Sequence, residues 1–106
     1  MSIIYSNKAT GERIELNEDR TCEEVLEFVR KLTAPGSTLI MSLPSGMGLD
    51  LHAENEGVLW VEFYADTVSS AFVTMLVAEQ IVKRSFTGVC TKIKENYADL
   101  ISKWEY

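Results

Sequence analysis

The sequence predicts an α+β fold: an antiparallel meander of about five or six strands with two or three helices packed on one face. Three observations carry this. Residues 49–54 and 58–64 alternate apolar and polar side chains with a period of two, and Gly-bearing turns flank them. Thr21-Cys22-Glu23-Glu24 opens a stretch with the apolar spacing of an amphipathic helix. Apolar residues after Met75 return to helical spacing. The length of 106 residues, 46% apolar and 25% charged, is that of one ordinary globular domain spanning 1–106.

The elements follow in order. Ile3-Ile4-Tyr5 and Arg13-Ile14-Glu15-Leu16 flank Asn7 to Gly11, which reads as a β-hairpin around a Thr-Gly turn. In the first helix, the Thr21 hydroxyl and the Glu24 carboxylate are placed to satisfy amides that the helix start leaves unpaired. Val25, Phe28, Val29 and Leu32 form one apolar stripe, and Pro35-Gly36 stops the helix. Glu23, Glu24 and Glu27 towards its start and Arg30-Lys31 at its end suit the helix dipole.

Leu39 to Leu43 is an apolar strand, and Pro44-Ser45-Gly46-Met47-Gly48 is turn chemistry. Leu49, Leu51 and Ala53 then share one face, with Asp50, His52 and Glu54 on the other. Asn55-Glu56-Gly57 turns the chain into Val58 to Tyr64. There Leu59, Val61 and Phe63 are expected to face inward and Trp60, Glu62 and Tyr64 outward, so the sheet has one wet face. Ala71 to Thr74 is a further strand of the meander. Met75 to Thr87 reads as a helix with Ala78, Ile81, Val82 and Phe86 on one side and Gly88 as its C-terminal cap. Thr91 to Trp104 reads as a last amphipathic helix through Ile93, Tyr97, Leu100, Ile101 and Trp104.

Sixteen acids against ten bases give a net charge of −6, unevenly spread. Residues 1–66 hold 12 acids and 5 bases, whereas residues 67–106 hold 4 and 5. Phosphate binding needs clustered lysine and arginine, and only Lys83-Arg84 and Lys92/Lys94 offer any. Nucleic acid is therefore not an expected partner, whereas a basic protein is. No apolar run approaches the roughly 18–20 residues of a membrane span. Met1 to Ser6 has neither the basic nor the long apolar region of a secretory signal, so a cytoplasmic protein without membrane association is expected.

Cys22 and Cys90 have no C-x-x-C spacing, and with His52 they match no zinc template. Gly46-Met47-Gly48 lacks the Lys and Ser/Thr of a phosphate loop. Nucleophilic catalysis needs a nucleophile beside an oriented base, and His52 is the single histidine, so no catalytic residue, cofactor or metal is assigned. The candidate site is instead the outward surface of hairpin 49–66, where Asp50, Glu54, Glu56, Glu62 and Asp66 accompany Trp60 and Tyr64. Aromatic anchors ringed by steering charge are what protein interfaces use.

The layout is carried by Glu24-Val25-Leu26-Glu27-Phe28-Val29, Leu49-Asp50-Leu51 and Glu56-Gly57-Val58-Leu59-Trp60-Val61-Glu62. Val73 to Gly88, with Ala78 and Phe86-Thr87-Gly88, and the closing Trp104-Glu105 complete it. Over residues 20–106 it resembles the small α+β immunity proteins of bacterial polymorphic toxin and contact-dependent inhibition systems, in particular those found beside deaminase-type toxins. The resemblance implies a non-catalytic protein that binds a cognate toxin domain and blocks its active site or substrate path. It also implies that an acidic surface imitates the phosphates sought by a basic, nucleic-acid-targeting toxin. The competing expectation is a homo-oligomeric or adaptor domain, its apolar residues Ile93, Tyr97, Leu100 and Trp104 meeting a second copy. A small enzyme would require a deep pocket joining His52 to Cys22 or Cys90.

Overall fold

Six strands make one antiparallel sheet, open at both edges, with the helices on one of its faces. In this computed structural model, residues 1–43, 46–55, 57–65, 67–87 and 92–104 are described. Several sequence expectations fall outside them: the Pro44-Ser45 turn, Glu56, Asp66, the Gly88 cap, Cys90, Thr91 and Glu105. The strands are β1 (Ser2–Ser6), β2 (Arg13–Leu16), β3 (Thr38–Ser42), β4 (Gly48–Asn55), β5 (Val58–Tyr64) and β6 (Val68–Thr74). Their spatial order is β2-β1-β3-β4-β5-β6. The meander therefore runs from β3 to β6, and the N-terminal hairpin joins it where β1 pairs with β3.

Helix α1 (Cys22–Arg30) forms as its sequence dictates. The Glu24 backbone N–H donates to Thr21 Oγ1 at 3.2 Å, and the Glu24 carboxylate accepts from the Thr21 backbone N–H at 3.2 Å. The helix ends at Arg30, earlier than Pro35-Gly36 alone implies, because the Lys31 N–H turns back onto the Phe28 and Val29 carbonyls. Leu32 is still buried, in the turns that follow. Helix α2 (Met75–Ser85) starts directly from β6, with Thr74 Oγ1 accepting from the Val77 N–H at 3.3 Å. Arg30 and Glu79 tie the two helices together at 2.9 Å.

Alternation sorts the sheet into two unlike faces. Leu39, Met41, Leu49, Leu51, Ala53, Leu59, Val61, Phe63, Ala71 and Val73 are buried beneath Val25, Leu26 and Val29 of α1 and Ala78, Ile81 and Val82 of α2. The hydrophobic effect of roughly 25 cal/mol per Å² of buried apolar surface makes this face the main source of stability. Gly57, at φ +76°, supplies the left-handed backbone of the β4–β5 turn.

The C-terminal region corrects one expectation. The helix foreseen from Thr91 to Trp104 is a single short helix, α3 (Ile93–Asn96), followed by turns. Arg84 donates to the Asn96 carbonyl at 2.8 Å and grips Asp99 at 2.6 and 2.9 Å, drawing the chain aside where a helix would continue. The helical spacing survives because the Tyr97 N–H bonds to the Ile93 carbonyl and the Ile101 N–H to the Tyr97 carbonyl. Ile93, Tyr97 and Ile101 are buried in the chain's own core, and Trp104 lies 5.8 Å from the Phe63 ring. Of the residues expected to meet a second copy, Ile93 and Tyr97 are thus buried within the chain, whereas Leu100 and Trp104 are only partly buried. Ser85 Oγ donates to the Ile81 carbonyl at 2.7 Å, so the Tyr97 hydroxyl, 2.7 Å away, donates to Ser85 Oγ. Among the described residues no helix is long and apolar enough to cross a membrane.

Candidate interaction surface on the open sheet face

The face turned away from the helices is organised by strand register. One row across it runs Ile4, Ile40, Asp50, Glu62 and Ser70. The next runs Thr38, His52, Trp60 and Phe72, and a third Ser42, Gly48, Tyr64 and Val68. Asp50, Trp60, Glu62 and Tyr64, all expected outward from sequence, are therefore neighbours on one surface. Glu54 lies at the exposed end of β4, where a register shift between Ala53 and Asn55 interrupts the pairing.

Glu62 is the centre of this surface. One carboxylate oxygen accepts from Trp60 Nε1 at 3.1 Å and the other from the Tyr64 hydroxyl at 2.6 Å. His52 Nε2 stands 3.5 Å from the first oxygen, a distance that becomes an ion pair when the imidazole is protonated. Residues two apart on a strand share a face, which is why a Trp-x-Glu-x-Tyr stretch can hold its own carboxylate from both sides. The bond to Glu62 pushes the Tyr64 phenol up to about 12. Gly48 keeps the floor beneath this ring clear, since a Cβ there would stand 3.1 Å from Tyr64 Cβ.

Asp50 faces Glu62 directly across the β4–β5 ladder. Partial burial raises the Asp50 carboxyl above its ordinary value, and the Glu62 charge adds to the rise; His52 and a hydrogen bond from Tyr64 oppose it. Two acids opposite each other are mutually repulsive in a sheet, so the pair is not a stabilising device. Apolar groups frame it. The Trp60 and Phe72 rings meet at 4.6 Å, and Ile40, Tyr64, Val68 and Phe72 are 39%, 38%, 56% and 56% exposed. Between Lys31 and Lys83 the chain contains no lysine or arginine, so no such side chain stands on β3 to β6.

Ile40, Val68 and Phe72 were not legible as members of the patch. Ile40 lies in an apolar run and Val68 before two serines, so neither declares its face, and placing all three beside Asp50 and Trp60 requires the register of β3 and β6. Cys22, at the start of α1, lies on the helix side, whereas His52 is on the open face, so the two do not approach each other. Among the described residues no cluster of three or more histidine, cysteine or acidic side chains is arranged to hold a metal ion. What the arrangement offers is a carboxylate held from both sides, Glu62, opposite a second one, Asp50, among partly exposed aromatic and aliphatic groups. Compared with protein-family models, curated proteins and solved structures, the chain matches none of them.

Proposed function

We propose that this chain is an immunity protein whose open sheet face docks a basic bacterial toxin domain and neutralises it. The observation that carries the reading is the Asp50–Glu62 pair, framed by Trp60, Tyr64 and Phe72 on four strands without a lysine or arginine. Carboxylates already aimed by their neighbours lose little side-chain freedom when a partner's guanidinium or ammonium arrives. Trp60 and Tyr64 provide faces on which such a cation can also rest. The negative field of the chain would speed the encounter, and the rings would slow escape.

The test is association of the purified chain with the toxin domain encoded beside its gene, followed by real-time binding at low and high salt. The expected result is a 1:1 complex whose association slows as salt rises. Charge reversal at Asp50, Glu54 or Glu62 should slow association, and Trp60→Ala should speed dissociation. Wild-type binding after all these changes would remove this surface from consideration, and absence of any complex would overturn the proposal.

A further inference from the structure

The two edges of the sheet are built differently. Strand β2 is short, four residues, and carries an exposed Arg13–Glu15 ion pair. Short length and charge are the usual protections against edge-to-edge pairing. Strand β6 has neither. It is seven residues long, Val-Ser-Ser-Ala-Phe-Val-Thr, with no charged residue, no proline and an unbroken register against β5. Among the described residues β5 is its sole strand partner.

We propose that two copies of this chain pair antiparallel through β6, about a two-fold axis at Ala71, to form one twelve-stranded sheet. The strand is complementary to itself in that register. On the open face Phe72 meets Ser70 and Val68 meets Thr74; on the helix side Val73 meets Ser69 and Ala71 meets its own copy. Each larger side chain is thus set against a small one. Antiparallel pairing about a single residue also matches outward-pointing backbone groups with outward-pointing groups, whichever alternate set that is.

Side-chain size, large set against small in this register, selects the second copy. Strand β6 itself carries no charged side chain, so the mutual repulsion of two chains of net charge −6 is not concentrated at this edge, where Lys103 borders the groove. A groove of about 190 Å³ completes the fit. It is lined by Phe72 from one face and Val73 from the other, with Thr74, Val77 and the segment Leu100 to Lys103, so it lies between the β6 edge and that segment. In the proposed register Val68 of the second copy, more than half exposed in one chain, lies opposite Thr74 at this groove. The blunted β2 edge stops the assembly at two copies. This pairing is made by the edge strand, and it shares Phe72 and Val68 with the border of the open-face surface.

Sedimentation velocity of the unmodified chain from about 1 µM to about 1 mM should show a monomer passing to a dimer and no larger species. Amide exchange should slow on alternate residues of β6 as concentration rises, with no such change in β2. Phe72→Lys places two lysines diagonally across the axis and should weaken dimerisation about tenfold. Val68→Lys, at an exposed position that the fold tolerates, should weaken it as well. A chain that stays monomeric throughout, a dimer whose β6 amides remain unprotected, or a dimer indifferent to both substitutions would each overturn the proposal. These measurements are made on the chain alone, so a failure of dimerisation leaves the Glu62 surface to its own test with the unmodified chain and the basic toxin domain.

Discussion

Asp50→Asn removes one of two like charges that face each other across β4 and β5, and it should make the protein more stable. Directly opposed residues in an antiparallel pair have Cβ atoms about 5 Å apart, and such like-charged pairs cost roughly 0.2–1 kcal/mol. Asp50 is only partly buried, so solvent screening holds the gain to roughly 0.5 kcal/mol. For a domain of this size that is a rise of about 2–4 °C in Tm at neutral pH. The pH dependence is diagnostic. The folded chain holds the Asp50 proton more tightly than the unfolded chain does, so ionisation penalises the folded state. That penalty is absent below the ordinary carboxyl value of 3.8 and grows as pH rises through the raised one. Thermal unfolding of both proteins at neutral pH and near pH 3 should therefore show a difference only at neutral pH, and added salt should shrink only the part that comes from the Glu62 charge. A variant that is less stable at neutral pH, or equally displaced at both, would refute the reasoning. A like-charged pair that costs stability, with its Glu62 member held in place by Trp60 and Tyr64, is the pattern expected of a binding site.

Three further outcomes follow from individual contacts. Thr21→Ala removes the α1 cap and should cost about 1 kcal/mol in denaturant unfolding. Glu24, whose carboxyl is held below its ordinary 4.5 mainly by the Thr21 backbone N–H, contributes stability present above 4.5 and lost as pH falls through the lowered value. Tyr64 should ionise at about 12 by ultraviolet titration, and Glu62→Gln should bring it back towards 10. The Tyr64–Glu62 bond thus stabilises the fold below pH 10 and ceases to do so as pH rises through about 12. Tyr97→Phe removes a buried hydroxyl that donates to Ser85 and should cost about 1 kcal/mol, a modest loss because Ser85 keeps its bond to the Ile81 carbonyl.

Legibility in the sequence followed the range of the interactions involved. Helix α1 was readable because its cap and stripe are local, and so were the two faces of β4 and β5, since a period of two needs no partner to declare itself. Strand β6 was readable only from Ala71 onward. Its first half contains Ser69 and Ser70, both buried, and small polar residues in buried positions erase the alternation that marks a strand. The C-terminal segment misled for a different reason. Two separate hydrogen-bonded turns keep Ile93, Tyr97 and Ile101 at the spacing of a helix, and a distant residue, Arg84, takes the Asn96 carbonyl that a continuing helix would use. Pairing of β1 with β3 is likewise non-local, with α1 intervening. For the surface, Asp50, Trp60, Glu62 and Tyr64 could be grouped within one hairpin. Ile40, Val68 and Phe72 could not, because they join it through strand order.

The measurement that bears most directly on a docking role for the open face is amide and indole chemical-shift mapping of the isotope-labelled chain as the neighbouring toxin domain is added. Perturbations should concentrate at Asp50, His52, Trp60, Glu62 and Tyr64, with the Trp60 indole N–H among the largest, while the exposed positions of α1 stay still. Shifts confined to α1 and α2, or a spectrum unchanged by the toxin domain, would contradict it.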